Sequence, residues 1–191
     1  MMKDLYSRKL VANDVHASET LALAAHVLAS GCLREGLAGR PLVLRSDNGA
    51  AMKGSTMPAT MQNLGVMPSF SRPRVSNDNA YAEALFRTAK YCPLWPAQPF
   101  DTRDDARAWV QRFVRWYNDE HRHSGIQYVT PAQRHCGEAP GIRRRRVEVY
   151  EAARQRRLQR WSGAIRDWSL ATSVWLNPER DIKCRPKKKA A

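Results

Sequence analysis

Two carboxylates carry the chemistry for which this sequence can be read. Asp47 follows the apolar run Leu42, Val43 and Leu44, and Glu83 stands early in a segment of helical pattern, with 35 residues between them. An acid just past a strand end lies where open α/β sheets place their sites. Two such carboxylates brought together repel each other unless they are protonated or neutralised, and a hard divalent cation with oxygen ligands resolves that repulsion. Paired magnesium ions flanking a phosphodiester would help deprotonate an attacking water or 3′-hydroxyl and stabilise charge on the leaving oxygen. Taken without context, the same residues read as a turn-capping Asp and a Glu on a solvated helix face.

The neighbours of each acid extend the pattern. Glu83, Arg87 and Lys90 fall at i, i+4 and i+7, so one helix face offers a carboxylate at one end and phosphate-binding cations at the other. The plain alternative is an i,i+4 ion pair worth a few tenths of a kcal/mol. Further on, residues 117–124 run Tyr-Asn-Asp-Glu-His-Arg-His-Ser. There Arg122, His121 and His123 are candidate phosphate donors and Asn118 a hydrogen-bonding group. His121 and His123 lack third and fourth ligands at useful spacing, which argues against zinc.

The elements that must position these groups alternate. Short strands are expected over Lys3–Tyr6 and Lys9–Val15, then a helix capped by Ser18 and stopped by Gly36 and Gly39. A buried strand over Pro41–Arg45 leads into the loop Ser46-Asp47-Asn48-Gly49. A short helix near Ala59–Leu64, a strand near Val66–Phe70 and a helix over Ala80–Tyr91 follow. Asp101 or Thr102 caps a longer helix with the stripe Ala106, Trp109, Val110, Phe113, Trp116 and Tyr117. Thr130-Pro131 opens one more, and a basic helical stretch and a Trp-bearing segment come after Pro140. This order predicts an α/β domain with a mixed sheet.

Composition limits the partners. The formal net charge of +14 is concentrated at the end, since residues 141–191 hold 15 Lys/Arg against 5 Asp/Glu. Such a balance calls for a polyanion or an acidic surface. The cysteines at 32, 92, 136 and 184 are too scattered for a disulfide framework or a zinc knuckle, so a reducing cytoplasm fits best. No apolar run is long enough for a membrane span.

Several segments together resemble one family. Leu44 to Gly49 is similar to the stretch around the second Asp of IS3-type bacterial insertion-sequence transposases. Ser71-Arg72, Asp78-Asn79-Ala80 and Ala82-Glu83 resemble the stretch around their Glu, at the 35-residue spacing shared with retroviral integrases. Lys90, Tyr117-Asn118, Arg122, His123-Ser124 and Thr130-Pro131 resemble the remaining signature.

The resemblance implies a ribonuclease H-like mixed five-stranded sheet flanked by helices. It implies Asp47 and Glu83 as catalytic metal ligands for two Mg2+ or Mn2+ ions. DNA, as transposon ends and target, is the implied partner, with Arg87, Lys90, Arg122 and His123 touching it and self-association in the complete enzyme. The basic run Arg143, Arg144, Arg145 and Arg146 adds a backbone-directed contact. Residues 1–140 are expected to form a partial integrase core and residues 141–191 a basic, Trp-containing extension.

In this family the first catalytic Asp sits on a strand that nothing here supplies. The expectation is therefore a sheet lacking its first strand and a chain inactive alone, unless Asp4 or Asp14 substitutes. A non-catalytic DNA-binding or subunit-interaction remnant is the alternative.

Overall fold

The chain opens with a tight hairpin because the Asp4 side chain pulls the backbone round. In the computed structural model, which describes residues 1–37, 39–47, 55–72 and 75–176, the Asp4 carboxylate accepts from the backbone N–H groups of Tyr6 and Ser7 at 3.2 and 2.9 Å. Arg8 completes the turn at φ 71°, and β1 (Met2–Lys3) pairs antiparallel with β2 (Leu10–Ala12). The strands are shorter than their apolar pattern predicts because this Asx turn claims Asp4 to Arg8.

Helix α1 (Leu21–Arg34) starts at Thr20, whose hydroxyl accepts from the N–H of Leu23 at 3.3 Å, so the cap is Thr20 and not Ser18. It buries Ala25, Leu28 and Cys32 on one face. It packs tightly on the hairpin at Gly31, where a Cβ would stand 2.8 Å from the Ala12 Cβ. β3 (Leu42–Ser46) and β4 (Val66–Phe70) are parallel and in register from Leu42↔Val66 to Ser46↔Phe70. A parallel pair needs a crossover, and α2 (Thr56–Leu64) provides it, ended by Gly65 at φ 70°. Met57 and Met61 of α2 pack with Ala25, Leu28 and Cys32.

A second core forms where α3 (Ala80–Lys90) meets α4 (Arg103–Arg115), around Leu85, Trp109, Val110, Phe113 and Tyr117 with Leu10 of the hairpin. Thr102 and Asp105 make a reciprocal capping box at the start of α4. At its far end the helix widens into a π turn over Trp116–Glu120, which turns Tyr117 and Asn118 inward. α5 (Pro131–His135) has a capping box from Thr130 and Gln133. α6 (Ala139–Arg156) is mostly exposed.

After α6 the chain folds back. Trp168 is buried against Tyr150, with the Arg146 and Arg166 guanidiniums 5.3 and 5.2 Å from its ring. Arg134 donates to the Ala171 carbonyl, and the Tyr81 hydroxyl of α3 donates to that of Trp175, both at 3.1 Å. Asn48 and Gly49 of the expected loop and residues 177–191 lie outside the described residues.

The fold is mixed α/β, and all four expected strands form in order. Among the described residues they make two separate two-stranded sheets instead of one five-stranded sheet. β1 and β3 face each other across a groove, and cavities of about 410 and 300 Å³ are lined from both sides by Met2, Lys3 and Leu42 to Leu44. Side chains close this boundary in place of a hydrogen-bond ladder, for Met2 packs on the cluster containing Leu42 and Leu44. No helix among the described residues is long and apolar enough to cross a membrane.

The Gly31 contact gives a direct test of packing. Gly31→Ala is expected to push α1 off the hairpin and cost about 1–3 kcal/mol, read as a lower midpoint in urea denaturation.

Candidate active site

Asp47 is the first residue past β3. It is exposed and lines a cavity of about 490 Å³ together with Asp14, His16 and Glu19. Glu83 lies in the first turn of α3, also exposed. What relates the two is a third acid between them. Asp78 is only 4% exposed and sits in a 3₁₀ turn, Ser76–Asn79, that leads directly into α3.

The Asp78 carboxylate accepts from Arg45 at 3.1 Å. It accepts from the Arg72 guanidinium at 3.0 and 2.8 Å, and from the Arg72 backbone N–H at 2.9 Å. Arg45 also donates to the Ser69 hydroxyl on β4 at 2.9 Å. Ser71 adds its N–H and hydroxyl to the Ser46 carbonyl at 3.0 and 3.2 Å. One buried carboxylate thus gathers the ends of β3 and β4 and the entry to α3. Asp47 stands two residues beyond Arg45 and Glu83 five beyond Asp78, so this cluster sets the backbone that presents both.

The donor chemistry suits a hard divalent ion. Magnesium is commonly held by one or two carboxylates, with water and substrate oxygens completing its shell. Among the described residues no three His, Cys, Asp or Glu side chains stand close enough together to hold a metal ion. Asp4 is committed to its turn: burial opposes its ionisation, but hydrogen bonds from Ser7 and Tyr6 outweigh that and hold the carboxyl below its ordinary range. Asp14 shares the Asp47 cavity and pairs with His16 at 2.9 Å.

The basic candidates divide by environment. Arg87 and Lys90 are exposed on the last turns of α3, and Arg122 is exposed after the π turn. Arg144 and Arg145 are exposed on α6. Arg146 instead donates to the carbonyls of Gln127 and Tyr128, two residues held at φ 60° and 58°. Arg143 is half-buried. His123 accepts from the Gly125 N–H through Nδ1 at 3.1 Å, and burial lowers its pKa to about 4. It is therefore a neutral imidazole near pH 7, with Nε2 and not a cationic ring left to face solvent or a ligand.

Asn118 is the hydrogen-bonding group expected, and its partner is β2. It is 8% exposed, accepts from the Leu10 N–H at 2.9 Å and donates to the Leu10 carbonyl at 3.1 Å. Its amide pairs with β2 as a neighbouring strand would. Residue types alone did not single out Arg45, Arg72 and Asp78 as the frame of the site. The available signal was a pair of arginines and an acid bracketing both candidate carboxylates in sequence.

Known proteins share parts of this chain. Residues 64–131 match the family described as Integrase core domain. The chain is 28% identical over 130 residues to the transposase for insertion sequence element IS904 of Lactococcus lactis subsp. lactis (strain IL1403), covering 67% of this chain and 50% of that protein. The chain thus spans about half the length of the curated relative it matches. A chain from the simian T-cell lymphotropic virus intasome in complex with PP2A regulatory subunit B56 gamma aligns with a TM-score of 0.49 at 18% identity, over 62% of this chain and 41% of that one.

Two outcomes follow from the site. Asp78→Ala leaves Arg45 and Arg72 without their shared carboxylate and is expected to cost about 3 kcal/mol in chemical denaturation. For His123, the unfolded chain takes up the proton near the ordinary value of about 6.5, whereas the fold resists it down to about 4. Its contribution is therefore complete above pH 6.5 and is lost progressively as pH falls toward 4. An imidazole C–H resonance titrating near 4 in the native protein checks this, and a midpoint near 6.5 would contradict it.

Proposed function

We propose that this chain, which carries a catalytic-core segment of the integrase and transposase family, acts in metal-dependent cleavage and strand transfer of DNA ends. The observation that carries the reading is the Asp78 cluster, which ties the strand just ahead of Asp47 to the helix bearing Glu83. The 35-residue spacing and the integrase-core match over residues 64–131 support it.

In this reading Asp47 and Glu83 hold Mg2+ or Mn2+, which supplies Lewis-acid activation of phosphoryl oxygens when bound. Water, the scissile phosphate or a carboxylate from another polypeptide segment completes the donor set. Arg87 and Lys90 lie one and two turns past Glu83 and take the adjoining phosphates as fork and point charges, respectively. Arg122, with His123 as a neutral donor, extends the backbone contact beyond the π turn. Arg144 and Arg145 offer a second basic face, with Arg143 and Arg146 behind them closer to the packed tail. The partners are transposon ends and target DNA, in a self-associated complex in the bacterial cytoplasm.

A second reading, a DNA-binding or subunit-interaction remnant without chemistry, draws on the exposed arginines of α6. One experiment separates the two. Asp47→Asn and Glu83→Gln are introduced into the longest product that contains this chain, and nicking and joining of end duplexes are followed with Mn2+. Loss of both reactions with retained, salt-sensitive duplex binding is expected. Cleavage persisting unchanged in both variants would sink the catalytic reading, and binding without cleavage in the unsubstituted protein would favour the second.

A further inference from the structure

One concavity beside α3 is not used by the carboxylates or by the core. It has a volume of about 500 Å³ and is lined by Arg87, Thr88, Tyr91, Pro93, Trp116 and His121. Its walls are mainly aromatic, and Arg87 is the charged group in its lining. Tyr91 is 73% exposed, with the Lys90 ammonium 5.8 Å from its ring. Trp116 is tilted on Phe113 at 6.1 Å and on His121 at 4.9 Å, which fixes its plane from two sides.

The π turn is what puts these rings there. The His121 N–H donates to the Trp116 carbonyl at 2.8 Å, closing one wide turn that brings both side chains into a lining shared with Arg87 and Thr88 of α3. Burial holds His121 below the ordinary imidazole range, leaving an uncharged ring that can donate and accept. The Thr88 hydroxyl is already given to the Ala84 carbonyl at 2.8 Å. Polar recognition is therefore left to Arg87 and His121, with no carboxylate in the lining to repel an anion. By contrast, the cleft between Arg34, Arg107 and Arg115 also contains Asp14 and Asp119.

Location decides the ligand class. Arg87 stands one turn beyond Glu83 on the same helix face, about 6 Å along. A phosphate held there by Arg87 has its own sugar and base within reach of Tyr91 and Trp116. Two flat rings in the lining, a fork donor for phosphate and a neutral imidazole are the components of a stacking site for one unpaired nucleotide.

We propose that this concavity holds a single unstacked nucleobase of the DNA strand whose phosphate lies at Glu83. The inference rests on the DNA-processing reading above. The base stacks on Tyr91 and Trp116, His121 meets its edge, and Arg87 takes its phosphate.

The test uses the whole chain in EDTA, so that only binding is read. The probes are a blunt duplex, the same duplex with a short single-stranded overhang carrying 2-aminopurine, and an overhang in which that position is abasic. The expected result is quenched 2-aminopurine fluorescence on binding. The abasic overhang should bind about five- to tenfold more weakly, in keeping with the stacking value of one base. Tyr91→Ala should abolish the quench and the difference between overhangs while leaving blunt-duplex affinity unchanged, and Tyr91→Trp should restore both. Tyr91 is chosen because Trp116 also packs on Phe113, and circular dichroism confirms that the variant is folded.

Equal affinity for the two overhangs, or quenching indifferent to Tyr91→Ala, with duplex binding intact, overturns this inference and leaves the DNA reading standing. Failure to bind any of the three probes overturns both. An apolar peptide displacing nothing from the overhang complex supports the nucleobase, whereas a peptide that protects Tyr91 better than the overhang does assigns the concavity to a protein partner.

Discussion

A carboxylate removed from water must be neutralised where it lies, and in this protein that requirement organises the site. Asp78 is buried with two guanidiniums and a backbone N–H around it. Replacing such a cluster with apolar groups could be neutral for stability, while losing one partner is costly. Its value here is geometric. Arg45 comes from a strand, Arg72 from the loop after the neighbouring strand, and Asp78 from the turn before a helix. No backbone ladder connects α3 to β3, so the ion cluster supplies the connection, and two exposed carboxylates acquire a defined relation without being buried themselves.

The same device recurs at the hairpin, with neutral groups. The Asn118 amide matches the N–H and C=O of Leu10, and so joins the π turn to β2. In the adjoining turn the Ser7 hydroxyl lies 3.2 Å from His135 Nδ1, and His135 Nε2 lies 3.0 Å from the Glu35 carboxylate, which also receives Lys9 at 2.9 Å. Ser7 has no exposed surface, so this chain of contacts cannot present a nucleophile to a substrate. It fastens the turn to the ends of α1 and α5. Side-chain ties of this kind carry more of the architecture than usual because the two sheets meet through packing across a groove and not through shared hydrogen bonds.

These ties explain what could be read from the sequence. Strand and helix order followed from local pattern: Leu42 to Leu44 is an apolar run, and Trp109, Val110 and Phe113 recur at helical spacing, so β3 and α4 stand where expected. Thr102 and Thr130 announced their helices because capping is a local hydrogen bond. Ser18 misled, since Thr20, two residues on, offers the same chemistry and has the extended backbone at φ −132° that a cap needs. The strand boundaries near Asp4 shrank because a side chain outcompeted the ladder. Asp47 and Glu83 were legible as candidates through type and spacing. Their frame was not, because Arg45 with Asp78 and Asn118 with Leu10 are pairings between distant segments, and sequence spacing carries no trace of which distant partners meet. The break into two sheets was likewise not legible from strand pattern, since each strand is locally well formed.

The arginines show how the basic excess survives folding. Outside the Asp78 cluster, several are engaged by groups that carry no charge. Arg146 is bound by two carbonyls and a Trp face, Arg134 by a carbonyl and the Tyr6 ring at 4.2 Å, and Arg166 lies over the rings of Tyr128 and Trp168. A carbonyl dipole or an aromatic quadrupole satisfies a guanidinium's donors and faces without cancelling its charge. Along α6 the Glu151–Arg154 pair, at 3.6 Å, is the ion pair found among the described residues. The positive field of this part of the chain is therefore not quenched internally, even where the side chains serve packing. Arginines that hold the tail against the core and arginines that face solvent add to one potential, and a polyanion arriving at the exposed members feels both.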